Sequence, residues 1–144
     1  MQADPISSDN VERVAKTHIA LKNKVSEYSI SEISNIEEEN NHTILCYVAD
    51  LTPKGFIAIS SDNNITPIIA YSFRNNFVKD EENLLYYMLK KDMEFRLESI
   101  SQFSSEKIQH NNELWEKYIS EDISEFNTKD FQQWPEEGST LTGG

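Results

Sequence analysis

Residues 47–77 contain three short apolar segments separated by polar turns, and this spacing constrains the fold more than any other feature. The apolar segments are Tyr47–Leu51, Phe56–Ser60 and Pro67–Phe73. The turn Pro53-Lys54-Gly55 separates the first two, and the polar loop Ser61–Asn64 leads to the third. Short apolar runs bounded by Pro, Gly and Asn are typical of β-strands. Because the links are short, the sequence predicts an antiparallel meander.

The first of these strands belongs to a longer apolar run. Residues His42–Asp50 include the consecutive apolar residues Ile44-Leu45-Cys46-Tyr47-Val48-Ala49. Since neighbouring side chains in a strand point to opposite faces, this strand must be covered on both sides. We therefore expect it near the centre of the sheet, between helices. Upstream, Tyr28–Ile36 alternates imperfectly and predicts one more strand, which the acidic turn Glu37–Asn41 would end.

Helical spacing of apolar residues is present on both sides of this strand region. The N-terminal helix would begin at the capping-box-like sequence Asp9-x-x-Glu12. Its apolar face would consist of Val11, Val14, Ala15, His18, Ile19 and Val25. Downstream, the acids Asp80, Glu81 and Glu82 predict the first turn of a second helix, where negative charge is stabilised by the helix dipole.

The second helix would be long and amphipathic, and a third would follow it after Ser105. The second would carry Leu85, Met88, Leu89, Met93, Phe95, Ile100 and Phe103. The third would carry Ile108, Leu114, Trp115, Tyr118 and Ile119. From about Glu121 the pattern fades, and Pro135–Gly144 has the composition of a linker. The sequence predicts an α+β fold at residues 1–120, an antiparallel β-sheet of three to five strands packed with an N-terminal helix and one or two C-terminal helices, followed by a connector at 121–144.

Composition excludes several functional classes. The chain has 25 acidic residues against 13 Lys and Arg, which gives a formal net charge of −12. Nucleic-acid binding requires clustered basic side chains, so we expect no nucleic-acid partner and instead a basic partner surface. A single cysteine allows no internal disulfide, no segment is long enough to span a membrane, and no His or Cys spacing matches a metal motif. We expect a monomer that folds without metal or cofactor.

The residue types needed for thiol catalysis are present, but their spacing argues against a local pair. Cys46 and His42 lie on one predicted strand, which separates their Cα atoms by about 13 Å. His18 or His110 could reach Cys46 only through the fold, and a single cysteine in an apolar strand is typical of a core residue. The sequence therefore predicts a buried Cys46 and no enzymatic activity.

Four motifs in the strand region occur together in a recognisable order. They are Tyr47-Val48, Gly55–Ser60 with Asp62, Pro67–Ser72 and Phe77. Over about residues 11–100 the chain resembles the propeptide, or prodomain, of streptopain-like cysteine proteases. The resemblance implies a secreted protein, its signal peptide removed, that occludes the active site of its cognate protease in a zymogen and assists its folding. It also implies that residues 121–144 lead toward a protease domain absent from this chain, unless the chain is a related stand-alone inhibitor.

The resemblance also implies where the partner binds. In this family, an Asn that follows the Phe closing the strands, at the entry to an apolar helix, belongs to the segment that reaches the protease cleft. The matching partner-binding residues here are Phe77, Asp80, Glu81, Glu82 and Asn83. Taken by itself, Asn83 is more simply interpreted as a helix cap. Trp134, in the tail, is a further candidate anchor on a partner.

Other interpretations fit the same residues. A non-enzymatic binding or adhesion module of an exported protein would use the sheet without a protease partner. A small-ligand domain would need a pocket between a helix and the sheet. The start of the chain lacks the basic and apolar regions of a signal peptide, so the residues themselves fit either a cytosolic protein or an exported one whose signal has been removed.

Overall fold

The computed structural model describes residues 6–126, and residues 1–5 and 127–144 lie outside the described part. The elements follow one another as α1 (Ser8–Leu21), β1 (Ser29–Glu37), β2 (Ile44–Thr52), β3 (Phe56–Ser60), β4 (Ile68–Ser72), α2 (Leu84–Ser99) and α3 (Ser105–Ser120). Short 3-10 turns follow α2 at Ile100–Gln102 and α3 at Ile123–Glu125. The α+β prediction, with an N-terminal helix and two C-terminal helices, is confirmed.

The four strands form one antiparallel sheet in the order β1-β2-β3-β4. The predicted meander is therefore correct, and the imperfectly alternating segment before it is the edge strand β1. Gly55 closes the β2–β3 turn with a φ of 105°, and a Cβ at this position would collide with the carbonyl oxygen of Ser72. Strand β2 begins later than predicted because His42 adopts a φ of 60° in the preceding turn.

Helices cover both faces of the sheet. Helices α1 and α3 pack on one face, and α2 packs on the other. The central strand β2 contributes to both cores, because Ala49 and Leu51 face α1 and α3 whereas Cys46 and Val48 face α2. This arrangement confirms the expectation that the strand lies inside the sheet with helical cover on each side.

Two apolar residues assigned to buried helix faces are exposed, which corrects the prediction. Val25 lies beyond the end of α1 and is 66% exposed, because Asn23 adopts a φ of 62° and ends the helical path. Phe95 is 69% exposed on the side of α2 that faces away from the sheet. The period of the sequence placed both on an inner face, but a helix end and a second apolar face interrupt that period.

The predicted start of the second helix also needs correction. Asp80, Glu81 and Glu82 precede α2 and are not part of its first turn. The carboxylate of Asp80 accepts a hydrogen bond from the backbone N–H of Glu82 at 2.9 Å, which forms a local turn, and Asn83 takes the capping position. Helix α2 is also shorter than predicted, since it gives way to a 3-10 turn at Ile100. None of the helices in residues 6–126 combines the length and hydropathy needed to cross a membrane.

Candidate functional site

The segment that joins β4 to α2, residues 73–83, contains all the predicted partner-binding residues except Trp134, which lies outside the described residues. We call it the β4–α2 connection. Near its start, the side-chain oxygen of Asn76 accepts a hydrogen bond from the backbone N–H of Gly55 at 2.9 Å. The half-buried ring of Phe77 packs against Phe56 and Tyr86, with ring centroids 5.3 and 6.0 Å away. The first half of the connection is therefore held against the core under α2.

The second half of the connection reaches the opposite edge of the sheet. Lys79 donates a hydrogen bond from its ammonium group to the backbone carbonyl of Asn35 in β1, at 2.5 Å. The chain leaves β4 at one edge and contacts β1 at the other, so the connection crosses the sheet. A turn follows, in which the backbone N–H of Asn83 donates to the carbonyl of Asp80 at 2.8 Å.

A lysine of α2 holds the acidic part of the connection. The ammonium of Lys90 lies 3.3 Å from the carboxylate of Glu81 and 4.0 Å from that of Glu39 in the β1–β2 turn. Its side chain is 10% exposed and lies over the ring of Tyr86, 5.2 Å from the centroid. Desolvation lowers the pKa of Lys90, but the hydrogen bond with Glu81 and the nearby negative charges outweigh it, and the pKa is raised. We call the Lys90–Glu81 pair the latch.

Asn83 is the N-cap of α2. Its side-chain oxygen accepts a hydrogen bond from the backbone N–H of Tyr86 at 3.2 Å, which confirms the capping interpretation. The side chain is half-buried, and its NH₂ group has no hydrogen-bond partner in the part of the chain that the structure describes. The cap therefore uses the acceptor of the amide and leaves its two donors for other contacts.

The acids of the connection are exposed, and exposed apolar residues adjoin them. Asp80, Glu81 and Glu82 are all solvent-exposed. Val78 before them is 51% exposed, and Leu84 after them is 70% exposed. The sequence prediction missed both apolar residues, although Leu84 gave a signal, because it does not fit the spacing of the inward-facing residues of α2. The connection thus presents an exposed acidic turn between two exposed apolar residues, on a fixed backbone.

The residues considered for thiol catalysis do not meet. Cys46 is fully buried under α2, and burial raises its pKa to about 12. His18 lies on the other face of the sheet, 4.4 Å from the ring centroid of Tyr71, and burial followed by the charge of Lys22 lowers its pKa to about 3. The prediction that Cys46 is a core residue is confirmed by its burial. Neither Cys46 nor His18 has the exposure or the charge state that nucleophilic catalysis requires.

A second concave feature lies between α1 and the edge strand β1. This groove has a volume of about 720 Å³ and is lined by side chains that include Glu12, Lys16, Tyr28, Ile33 and Glu121. It is the kind of pocket that the small-ligand interpretation requires. Within residues 6–126, however, no three His, Cys, Asp or Glu side chains are grouped so that they could hold a metal ion.

Comparison with known families adds one finding. A sequence model of the family described as Spi protease inhibitor matches residues 3–95. The match spans α1, all four strands, the β4–α2 connection and most of α2. No curated protein and no solved structure matches the chain.

Proposed function

The chain belongs to the Spi protease inhibitor family, and we propose that it occludes the active site of a streptopain-like cysteine protease with its β4–α2 connection. One observation supports this proposal above the others. Residues 77–83 are fixed at two points, by Phe77 against the core under α2 and by Lys79 at the edge strand β1, while their acidic turn stays exposed. A rigid scaffold that presents an exposed loop is the usual design of a binding site.

The fixed backbone favours inhibition over cleavage. A loop held in its bound conformation before contact loses little conformational entropy on binding, which strengthens the complex. The same restraint keeps its peptide bonds from moving toward the geometry of the transition state, so the protease binds the turn without processing it. The donors of Asn83 would then pair with acceptor atoms in the cleft.

Charge supports a basic surface around that cleft. The chain has a formal net charge of −12, and three consecutive acids form the exposed turn. Opposite charge on the protease would speed association and orient the two proteins, with a smaller effect on final affinity. Inhibition should therefore begin more slowly as salt is added.

The proposed role extends to the whole chain. Residues 1–120 act as the inhibitory domain of an exported protein without catalytic activity of its own, and residues 121–144 act as the connector, where Trp134 gives a second contact. The folded domain also assists folding of the protease, because it presents a preformed surface against which the cleft can form. Packing continues to the start of that connector, since the ring of Phe126 lies 4.9 Å from that of Tyr118.

The test is a titration of the full chain against three proteases with peptide substrates. A streptopain-type cysteine protease should be inhibited at one chain per enzyme, whereas a papain-type cysteine protease and a trypsin-type serine protease should not. Full activity of the streptopain-type enzyme at saturating chain would refute the proposal and favour the adhesion alternative. Slow cleavage of residues 77–83 during inhibition would show that the connection enters the cleft as a substrate instead.

A further inference from the structure

Three of the five exposed residues of α2 are large and apolar. Leu84, Tyr87 and Phe95 are 70%, 52% and 69% exposed, and the exposed Lys91 lies between the last two. Their spacing of three, four and four residues places all four on one side of the helix. We call these four residues the α2 ridge.

The fold does not require this apolar face. The inner side of α2 already supplies the fully buried Leu89 and Met93 to the core. A helix that covers a sheet normally has charged or polar residues on its outer side. Six large apolar side chains are exposed in the described residues, and four of them lie between positions 78 and 95. The six are Val25, Val78, Leu84, Tyr87, Phe95 and Ile123. Such clustering marks interaction surfaces more often than scattered exposure does.

We propose that the α2 ridge is a second contact surface for the inhibited protease, and this inference rests on the function proposed above. Leu84 directly follows Asn83, so the ridge continues the surface of the β4–α2 connection along the helix. The protease should therefore carry a shallow apolar groove beside its active-site cleft, with basic residues at the rim near the acids of the connection. The connection would block the cleft, and the ridge would supply apolar area and select the protease.

Charge argues for a protein partner instead of a lipid surface. Lys91 is the one cation of the ridge, and its ammonium already lies 3.6 Å from Glu94 and 5.7 Å from the ring centroid of Tyr87. The neighbouring connection carries Asp80, Glu81 and Glu82. Anionic membranes attract helices rich in Lys and Arg, so they would repel this surface. An apolar centre with a charged rim is the usual composition of a protein interface.

The experiment compares glutamine variants of the ridge with a matched control. Glutamine keeps helix propensity and removes the apolar side chain. Tyr87→Gln and Phe95→Gln should each raise the inhibition constant against the streptopain-type protease by about tenfold or more, because central apolar contacts dominate interface energy. Val25→Gln removes an apolar side chain that is 66% exposed elsewhere, and it should leave the constant unchanged. All three melting temperatures should stay near that of the parent.

Other results would overturn the inference in distinct ways. If the parent inhibits and both ridge variants inhibit equally well, the ridge assignment is wrong and the proposed function stands. If the parent does not inhibit, both proposals fail. A melting temperature that falls by several degrees in Phe95→Gln would show that other residues of the same chain cover the ridge. A dimer in sedimentation that Phe95→Gln dissociates would show a second copy there, and binding of the parent to phosphatidylserine vesicles would show a lipid surface.

Discussion

The two faces of the sheet differ in what covers them. On one face, α1 and α3 pack together, and buried hydrogen bonds join α3 to the β3–β4 loop and α1 to α3. The indole N–H of Trp115 donates to the carbonyl of Ile65 in that loop at 2.7 Å, and the hydroxyl of Thr17 donates to the carbonyl of Tyr118 at 2.6 Å. On the other face, α2 packs alone, and the β4–α2 connection crosses the sheet beside it. We call the first the stability face and, because the proposed protease contacts lie there, we call the second the recognition face.

This division has a physical reason. Buried hydrogen bonds and large rings give a core that tolerates little change, since each lost group leaves a cavity or an unpaired polar atom. A binding surface needs exposed groups whose removal costs the free fold little. If the two functions are separated in this way, substitutions under α1 and α3 should change stability, and substitutions around the connection should change inhibition.

The largest effect should follow from Trp115→Ala on the stability face. Trp115 is 2% exposed, so the change should lower the free energy of unfolding by about 3 to 5 kcal/mol through the cavity and the unpaired carbonyl of Ile65. Urea unfolding measures this loss. The inhibition constant, corrected for the folded fraction at low temperature, should equal that of the parent. An inhibition defect in fully folded Trp115→Ala would show that the two faces are not separate.

Acid should lower the stability of the fold through His18, which is buried on the same face of the sheet. Burial lowers its pKa to about 3, whereas in the unfolded chain the pKa is about 6.5. The unfolded chain therefore takes up the proton first as the pH falls, so the contribution of His18 is complete above pH 6.5 and is lost between pH 6.5 and 3. The loss is about 1.4 kcal/mol per pH unit in that range.

His18→Gln isolates this effect, because the other titrating groups are shared with the parent. Urea unfolding of both proteins between pH 7.5 and 4.5 should give a smaller decrease for the variant, by about 2 to 3 kcal/mol at the acid end. Parallel stability curves would mean that His18 accepts a proton in the folded protein. The expected loss of stability in acid would then be wrong, but the proposed separation of the two faces would remain.

The fold was largely predictable because its signals are local. The apolar run of β2 and the short turn at Gly55 fix a central strand and a hairpin whatever surrounds them. The errors at Val25 and Phe95 have one cause: helical spacing gives the period of a helix but not the residue at which it ends or whether a second face is apolar. Tertiary contacts decide both.

The position of the candidate site was proposed from the sequence, and it stays a prediction. The resemblance to streptopain-type propeptides pointed to Phe77–Asn83, and the cap at Asn83 follows from local chemistry. The contacts that fix the β4–α2 connection do not follow from local chemistry. Lys79 reaches Asn35, and Lys90 reaches Glu39, across more than forty positions of sequence, and such pairs depend on the order of strands in the sheet.

On the recognition face, Asn83→Ser should affect inhibition more than stability. Serine keeps the N-cap acceptor but removes the two amide donors, whereas alanine would also remove the cap and confuse the two effects. We expect inhibition to weaken by about 1 to 3 kcal/mol, with a change in melting temperature of only a few degrees. Phe77→Ala is the contrast: its ring packs on Phe56 and Tyr86, so both inhibition and melting temperature should fall. Unchanged inhibition by Asn83→Ser would refute the role of the amide and leave Trp134 as the next candidate.

The smallest expected effect concerns the latch. Glu81 is 66% exposed, so its ion pair with Lys90 contributes only about 0.2 to 1 kcal/mol to stability. Glu81→Gln should weaken inhibition by about two- to fivefold, since it releases one restraint on the connection while Phe77 and Lys79 keep the others. Glu82→Gln is the matched control, because it removes the same charge from the next residue, which makes no ion pair among residues 6–126. Inhibition constants measured at low and high salt separate the two contributions. If Glu81→Gln weakens inhibition more than Glu82→Gln does, and the difference persists at high salt, the effect comes from the restraint on the connection. If both variants weaken inhibition equally and the effect disappears at high salt, it comes from net charge alone.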